Sequence, residues 1–391
     1  MNMYEAAQAL REETVAHRRY LHANAEAGLE LPKTRAYVKE MLLAAGLQPE
    51  ECGKGVTATL GSGGKCLLLR ADMDALPMAE ESGEPFESHT GCAHTCGHDF
   101  HAAMLLTAAK LLKQREADLP GTVKFMFQSA EETFEGAKNM IDNGILESPK
   151  VDAALAFHVA SGQMPVGIYM YNASGTMMAS VDGFRIEVRG KGAHGAYPQN
   201  SVDPINIAVH IYLALEALIA READPEKMCV MTVGKFNAGT AANIIPETAV
   251  LEGTIRTNDP ASREKLVRRM RETACLTAQV YGGEAEVTMT SGVAPLICDK
   301  ALTGKMVDYV AQLGIPGAAA YPGITSSASE DFATVAEKVP ACFMYLSAGY
   351  PDERGKWPAH NPKVLFNEDV LPMGAAAYAH CALQWLREQK G

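Results

Sequence analysis

Apolar and polar positions along the chain change repeatedly between the spacing of a strand and that of a helix, which favours an α/β architecture. The clearest strand is the unbroken apolar run 66–71, which is typical of a strand buried on both faces of a sheet. Strand, helix and strand then recur through the first half of the chain. The pattern here predicts helices at 4–21, 33–46, 99–114 and 134–143 and strands at 55–60, 66–71, 122–128 and 153–158.

A different pattern begins near residue 180, with alternating residues at 184–188 and a long helix opened by Asp203-Pro204. The elements predicted after residue 180 are strands at 184–188, 228–236, 247–257 and 285–290 and helices at 203–222 and 262–281. Their order is βαββαβ, that of a ferredoxin-like module. Longer helices return at 300–313 and 368–388. We therefore predict a two-domain α/β protein, in which a smaller domain (180–291) is inserted into a larger, discontinuous one (1–179 and 292–391).

Composition narrows the possible partners of this 391-residue chain. A net charge of −12 argues against a nucleic-acid-binding protein and against attachment to an anionic membrane. The N-terminal residues lack the basic and apolar stretches of a signal peptide, and the nine scattered cysteines suit reduced thiols, so we expect a cytoplasmic protein. The apolar window 208–220 is too short to cross a bilayer and is expected to be a buried helix.

The decapeptide 92–101 concentrates side chains that bind divalent metals. Its candidates are Cys92, His94, Cys96, His98, Asp99 and His101. Thiolate, imidazole and carboxylate are ligands of zinc-like ions, and the cysteine spacing is not the C-x-x-C of redox sites. We therefore interpret Cys96 and His98 as metal ligands rather than packing residues. The roles of Cys92, His94 and His101 stay open.

Further polar residues lie where predicted strands end: Asp74 after strand 66–71, Glu131 and Glu132 after strand 122–128, and His158 at the end of strand 153–158. Because ligands bind at the carboxyl edge of strands in open α/β sheets, we expect these residues to converge. Asp74 is either a turn or cap residue or a carboxylate that orients a ligand histidine and fixes its tautomer.

The pair Glu131-Glu132 also has two interpretations. It is either the solvated acidic start of a helix or a functional pair, in which one carboxylate binds metal while the other acts as general base. His158 and His360 are isolated histidines, which are usually core or surface residues. Here they are needed to complete the coordination.

Six sequence blocks resemble a known family, and the resemblance runs nearly end to end. The blocks are 69–77 (LRADMDALP), 96–101 (CGHDFH), 128–132 (QSAEE), 191–194 (KGAH), 243–247 (NIIPE) and 329–332 (SEDF). They resemble the metallo-aminoacylase and carboxypeptidase family, in its amidohydrolase branch of hippurate hydrolase, bacterial aminoacylases and plant hydrolases of indoleacetyl-amino acid conjugates. Two departures from the family pattern replace proline. Ala25 stands in the His-x-x-Pro-Glu pattern at 22–26, and Ser129 stands in the block 128–132, so the loops nearby need not have the family's shape.

The resemblance implies a site and a reaction. The implied metal ligands are Cys96, His98, Glu132, His158 and His360, serving two divalent ions (Zn, Mn, Co or Ni). Glu131 matches the general base, and His194 matches a histidine that stabilises the charged carbonyl oxygen, usually from the other subunit of a homodimer. Asn243 and Arg256 match substrate-binding positions, where an arginine suits a free carboxylate, although an arginine in an alternating strand can also be simply solvated. The inserted domain would then be a lid and a dimerisation domain.

The resulting prediction is a dimeric two-metal hydrolase of small N-acyl amino acids. Two alternatives remain. The first is a dipeptidase or carboxypeptidase on the same scaffold. The second is a catalytically silent, metal-dependent binding protein. Glu131 argues against it, because a binding protein does not need a base beside the metal.

Overall fold

The computed structural model describes residues 2–389, which divide into two compact units. The larger unit contains residues 2–177, 297–325 and 331–389, and the smaller unit contains residues 178–296 and 326–330. The sequence prediction placed 326–330 in the larger domain. Instead, this segment packs in the smaller unit, where the Ala179 N–H donates to the carbonyls of Ser326 and Ala328.

The ten α-helices of the described residues are α1 (Met3–Ala9), α2 (Arg11–Ala23), α3 (Pro32–Ala44), α4 (His98–Lys113), α5 (Gly136–Asp142), α6 (Pro204–Glu222), α7 (Pro260–Val280), α8 (Lys300–Gln312), α9 (Ala333–Ala336) and α10 (Leu371–Glu388). The sixteen strands are β1 (Pro49–Cys52), β2 (Gly55–Gly61), β3 (Cys66–Asp72), β4 (Thr122–Gln128), β5 (Ala153–Ala160), β6 (Ile168–Tyr171), β7 (Thr176–Met178), β8 (Val181–Arg189), β9 (Ala193–His194), β10 (Cys229–Ala238), β11 (Ile244–Ile245), β12 (Thr248–Thr257), β13 (Glu284–Val293), β14 (Leu296–Ile297), β15 (Ala319–Pro322) and β16 (Ala341–Ser347).

The larger unit is built on an eight-stranded sheet in the order β1-β2-β4-β3-β5-β16-β6-β15. Its centre, β4-β3-β5-β16, is parallel, and β3 and β4 are buried along their whole length, as the apolar run 66–71 predicted for β3. The chain leaves β3 through α4 toward β4 on one side, whereas β5 neighbours β16 on the other. The gap between β3 and β5 is therefore a topological switch point, the place where open α/β sheets bind ligands.

The larger unit differs from the prediction at its first helix and at one central strand. The helix expected at 4–21 is two helices, because the Leu10 N–H bonds back to the Ala7 carbonyl in a tight turn between α1 and α2. The central strand β16 was not predicted, although 341–346 is an apolar run of the same kind as 66–71.

The smaller unit has the predicted βαββαβ order. Its sheet order, β10-β12-β8-β13, is fully antiparallel and is that of a ferredoxin-like fold. Helices α6 and α7 share one core with Phe184, Ile186 and Val188 of β8. The window 208–220 was predicted to be too short to cross a membrane, but α6 is long and apolar enough to do so by length and composition alone. Its buried residues, which are 33% of its most apolar stretch, pack in this core.

A buried ion pair joins α2 to the first turn of α4. The Arg18 Nε donates to an Asp99 carboxylate oxygen at 2.8 Å, and the Arg18 guanidinium lies 4.6 Å from the ring centres of both Phe86 and Phe100. His22 bonds to the same Asp99 oxygen at 2.8 Å. These contacts fix the start of α4, one residue from His98.

We expect Arg18→Met to lower the free energy of unfolding of the metal-free protein by about 3–5 kcal/mol, because the buried Asp99 charge would lose its arginine and keep only the bond to His22. Arg19→Met is the matched control. Arg19 is exposed and pairs with Glu368, so its replacement should cost at most about 1 kcal/mol. Urea unfolding of both variants measures the difference, and equal costs would contradict a special role for the buried pair.

Candidate metal centre

The five predicted metal ligands meet at the carboxyl edge of the large sheet, all within the larger unit. Cys96 and His98 flank Gly97, the residue before α4, which adopts a left-handed conformation (φ 91°). A Cβ atom at this position would lie 2.4 Å from a methyl carbon of Val159 on β5. Glycine therefore lets the ligand loop approach the strand that carries His158.

Cys96 lies at the middle of the cluster. Its sulfur is 3.5 Å from Nε2 of His158 and 3.3 Å from Nε2 of His360. Two groups of ligand atoms, each within 4.8 Å of one another, share this sulfur. They are Cys96, His98 and His158, and Cys96, Glu132 and His360. This arrangement suits a thiolate shared by two ions.

Glu131 and Glu132 lie in a tight loop after β4. The Oε1 atom of Glu132 is 3.4 Å from Nε2 of His360 and 3.9 Å from Nε2 of His98, and Oε2 of Glu131 is also 3.9 Å from that His98 nitrogen. Ala130 and Phe134 on either side have positive φ angles of 54° and 58°, which non-glycine residues rarely adopt. Such strain is typical of functional loops.

Asp74 holds this loop through its carboxylate. One oxygen accepts the Glu131 N–H at 3.0 Å and the other accepts the Glu132 N–H at 3.2 Å. The sequence leaves two roles open for Asp74, a turn or cap residue and a carboxylate that orients a histidine. In the structure, Nδ1 of His98 donates to the Asp74 backbone carbonyl at 2.8 Å, and the Asp74 carboxylate lies 3.6 Å from the same nitrogen. The residue orients His98, but its side chain positions the glutamates.

Burial dominates the acid–base behaviour of the cluster. It raises the pKa of the Cys96 thiol to about 12 and lowers the pKa of His158 well below its usual value. Burial also lowers the pKa of His98, but the nearby Asp72 carboxylate and Cys96 more than offset it, so this pKa lies well above the usual value. The pKa of Glu132 is lowered because the His360 and His98 imidazoles outweigh its burial.

The donor set fits divalent cations. Nε2 of His98 and Oε1 of Glu132 are buried and accept or donate no hydrogen bond within the described residues. Buried polar atoms of this kind are stabilised by a bound ion, and thiolate, imidazole and carboxylate together suit zinc-like metals. The cluster would hold such ions through Cys96, His98, Glu132, His158 and His360.

The other ligand-type residues of the decapeptide have different surroundings. Asp99 pairs with Arg18, and both ring nitrogens of His101 bond to protein groups, the Asp72 carboxylate and the Val159 N–H. His94 is buried, which lowers its pKa to about 3. Among residues 2–389, neither Cys92 nor His94 belongs to a cluster of three ligand-type atoms. The many ligand-type side chains in 92–101 therefore include residues that support the site as well as residues that could bind metal.

His194, Asn243 and Arg256 lie in the smaller unit. His194 and Asn243 are neighbours in the ribbon formed by β9 and β11, in which the Gly195 N–H donates to the Asn243 carbonyl. Nδ1 of His194 accepts the Ala196 N–H at 3.1 Å, so the neutral exposed ring carries its proton on Nε2.

Arg256 is not simply solvated. Its Nη1 donates at 3.1 Å to both the Ser327 carbonyl and the Ser329 hydroxyl. Ser329 belongs to the SEDF block but was not singled out by the sequence analysis. That block was the signal that could have identified it.

We expect Asp74→Asn to lower kcat by about 10- to 100-fold, because an amide offers one acceptor and turns a donor toward the second N–H of the loop. The Nδ1–H of His98, held by the backbone, should persist in ¹⁵N imidazole spectra. Asp142→Asn, at an exposed aspartate paired with Lys138, is the control and should retain full activity. Loss of the His98 signal in Asp74→Asn would contradict the assignment of His98 to the Asp74 carbonyl and of the glutamate loop to its carboxylate.

Residues 68–384 match the sequence profile described as Peptidase family M20/M25/M40. The chain is similar to N-acetyl-L-cysteine deacetylase of Bacillus subtilis (37% identity, 93% of this chain and 85% of the relative) and to thermostable carboxypeptidase 2 of Saccharolobus solfataricus (34%, 94% of each). It also resembles the solved structure of the Bacillus subtilis YXEP protein, described as a dinuclear metal binding peptidase from M20 family (30% identity, TM-score 0.82, 97% of this chain and 99% of that chain). The family resemblance and the hydrolase prediction are thus confirmed: the chain belongs to peptidase family M20/M25/M40.

Proposed function

We propose that this protein is a two-metal amidohydrolase that cleaves the amide bond of N-acyl amino acids to a carboxylic acid and a free amino acid. The observation that carries this function is the shared Cys96 sulfur between two ligand groups, with the Glu131 carboxylate beside them. A relative named as an N-acetyl-L-cysteine deacetylase, alignable over 93% of the chain, supports this substrate class.

The chain's own residues account for the proton transfers. When bound, divalent ions would supply Lewis acidity that polarises the amide carbonyl and acidifies the attacking water. Glu131, held over the cluster by Asp74 through its backbone, takes the proton of that water and returns it to the leaving amine.

Residues of the smaller unit are proposed to bind the substrate. The Nε2–H of His194 donates to the carbonyl oxygen as negative charge develops on it. Arg256 and Asn243 bind the free carboxylate of the amino acid. The Arg256 guanidinium is oriented for this by Ser327 and Ser329.

We further propose that the protein is a homodimer formed through the smaller unit. The outer surfaces of α6 and α7 expose apolar side chains that monomeric proteins usually bury. They are Ile205, Val209, Tyr212, Leu213, Leu276 and Val280. Sedimentation of the wild-type protein measures this association, and a dimer would supply His194 to the centre of the other subunit.

A substrate panel tests the function. Metal-free protein is loaded in turn with Zn, Mn, Co and Ni and assayed on N-acetyl amino acids, hippurate and dipeptides. We expect the acyl amino acids to be cleaved with the highest kcat/KM. Faster cleavage of dipeptides would favour the peptidase alternative, which the carboxypeptidase relative supports. No turnover with any metal or amide would contradict an enzyme.

We expect Glu131→Gln to bind the wild-type amount of metal but to lose about 10²- to 10⁴-fold in kcat, the usual contribution of a general base. Glu135→Gln is the matched control, since Glu135 is an exposed glutamate in the same loop. Elemental analysis and steady-state kinetics separate the two effects. Full activity of Glu131→Gln would eliminate Glu131 as the base.

For His194→Ala we expect kcat to fall by about 10²- to 10³-fold with a smaller change in KM, because the donor acts on charge that appears in the transition state. His89→Ala, at an exposed histidine of the larger unit, should behave as wild type. A change confined to KM would instead indicate that His194 only binds the ground state.

A further inference from the structure

Strands β3 and β5 separate at the metal centre. They pair in parallel from Leu67 with Ala153 to Arg70 with Ala156, and the pairing stops there, although β3 continues to Asp72 and β5 to Ala160. Each strand keeps its other neighbour to the end, β3 along β4 and β5 along β16. The sheet is thus open between β3 and β5 only at their carboxyl ends.

Two buried side chains bridge this gap in place of the missing backbone bonds. The Tyr378 hydroxyl accepts the Phe157 N–H at 3.0 Å and donates to the Arg70 carbonyl at 2.6 Å. Two residues further along β5, Nε2 of His101 accepts the Val159 N–H at 2.8 Å. Its Nδ1 donates to the Asp72 carboxylate, whose other oxygen is 2.7 Å from Nη1 of Arg70.

The bridge at His101 is continuous with the ligand His158. The carbonyl of Val159 accepts Nδ1–H of His158 at 2.7 Å, which leaves Nε2 of His158 as the metal-binding atom, 3.5 Å from the Cys96 sulfur. Val159 therefore links the two histidines: its N–H donates to His101, and its carbonyl accepts from His158. The ring centres of His101 and His158 are 4.5 Å apart.

We propose that His101, backed by Asp72, is a positioning residue that keeps β3 and β5 apart and fixes the orientation and tautomer of His158, and that it is not a metal ligand. Both of its ring nitrogens are committed to protein partners, and its side chain is fully buried. This inference rests on the proposed two-metal function and explains one of the histidines that the ligand pattern of 92–101 left open.

The first test compares His101→Leu with His101→Gln, in which the amide again offers one donor and one acceptor. Zinc affinity is measured by competition with a chelator. We expect His101→Leu to bind the wild-type number of ions at saturation with about 10- to 100-fold lower affinity, the usual effect of losing a partner behind a ligand. His101→Gln should recover most of this loss. Unchanged affinity in His101→Leu, or loss of one ion at saturation, would overturn the proposal.

Two controls separate positioning from general loosening of the fold. Tyr378→Phe removes the deeper bridge in the same gap and should reduce zinc affinity less than His101→Leu. His380→Leu changes another histidine, on α10, whose buried Nε2 has no hydrogen-bond partner among residues 2–389, and should retain wild-type affinity. An equal loss of affinity in Tyr378→Phe and His101→Leu would show that the effect is not specific to His158.

The second test needs no variant at position 101 and so does not depend on its folding. In ¹¹³Cd-loaded wild-type protein labelled with ¹⁵N-histidine, we expect metal coupling to the rings of His98, His158 and His360 and none to His101. Coupling to the His101 ring would overturn the inference while leaving the proposed function intact. Failure of the wild-type protein to bind any metal would contradict the proposed function itself.

Discussion

Two imidazole nitrogens lie within about 3.5 Å of the Cys96 sulfur, with two carboxylates close by; Cys96, His158 and Glu132 are half-buried, and His360 is exposed. Groups with so many lone pairs repel one another and lose hydration when they are buried together, unless a cation compensates for both. This requirement for positive charge accounts for much of the surrounding structure. The supporting residues direct each ligand atom toward a common space and satisfy the backbone groups displaced in doing so.

Backbone strain is concentrated in the same place. Of the four described non-glycine residues with positive φ, three are Ala130, Phe134 and His360, all in segments that carry the cluster. Each such residue costs about 1–3 kcal/mol. The two N–H bonds to Asp74 offset the strain in the glutamate loop, and the bond from the His360 N–H to the Thr95 carbonyl ties the third segment to the cysteine loop. The fold therefore stabilises a geometry that the local sequence disfavours.

Much of the fold and of the site could be predicted from the sequence, because both depend on patterns that are local. The apolar run 66–71 predicts a buried strand, and the side chains after such strands must meet at one edge of the sheet. The role of a side chain, in contrast, depends on contacts with residues far away in the sequence. His98 and His101 lie one helical turn apart on the same helix and have the same chemistry, and only the neighbouring Val159 N–H distinguishes a candidate ligand from a support. For the same reason, the sequence offered a histidine-orienting role for Asp74 but could not show that its backbone carbonyl binds His98 while its carboxylate binds the glutamate loop.

The close contact at Gly97 limits which amino acids this position can accept. The residue lies between Cys96 and His98 and faces Val159, whose carbonyl accepts a hydrogen bond from His158, so its missing side chain lies where three candidate metal ligands come together. An alanine there would displace the loop and the strand in a single event. The Cys-Gly-His spacing therefore depends on the missing side chain at position 97 as much as on the two residues that flank it.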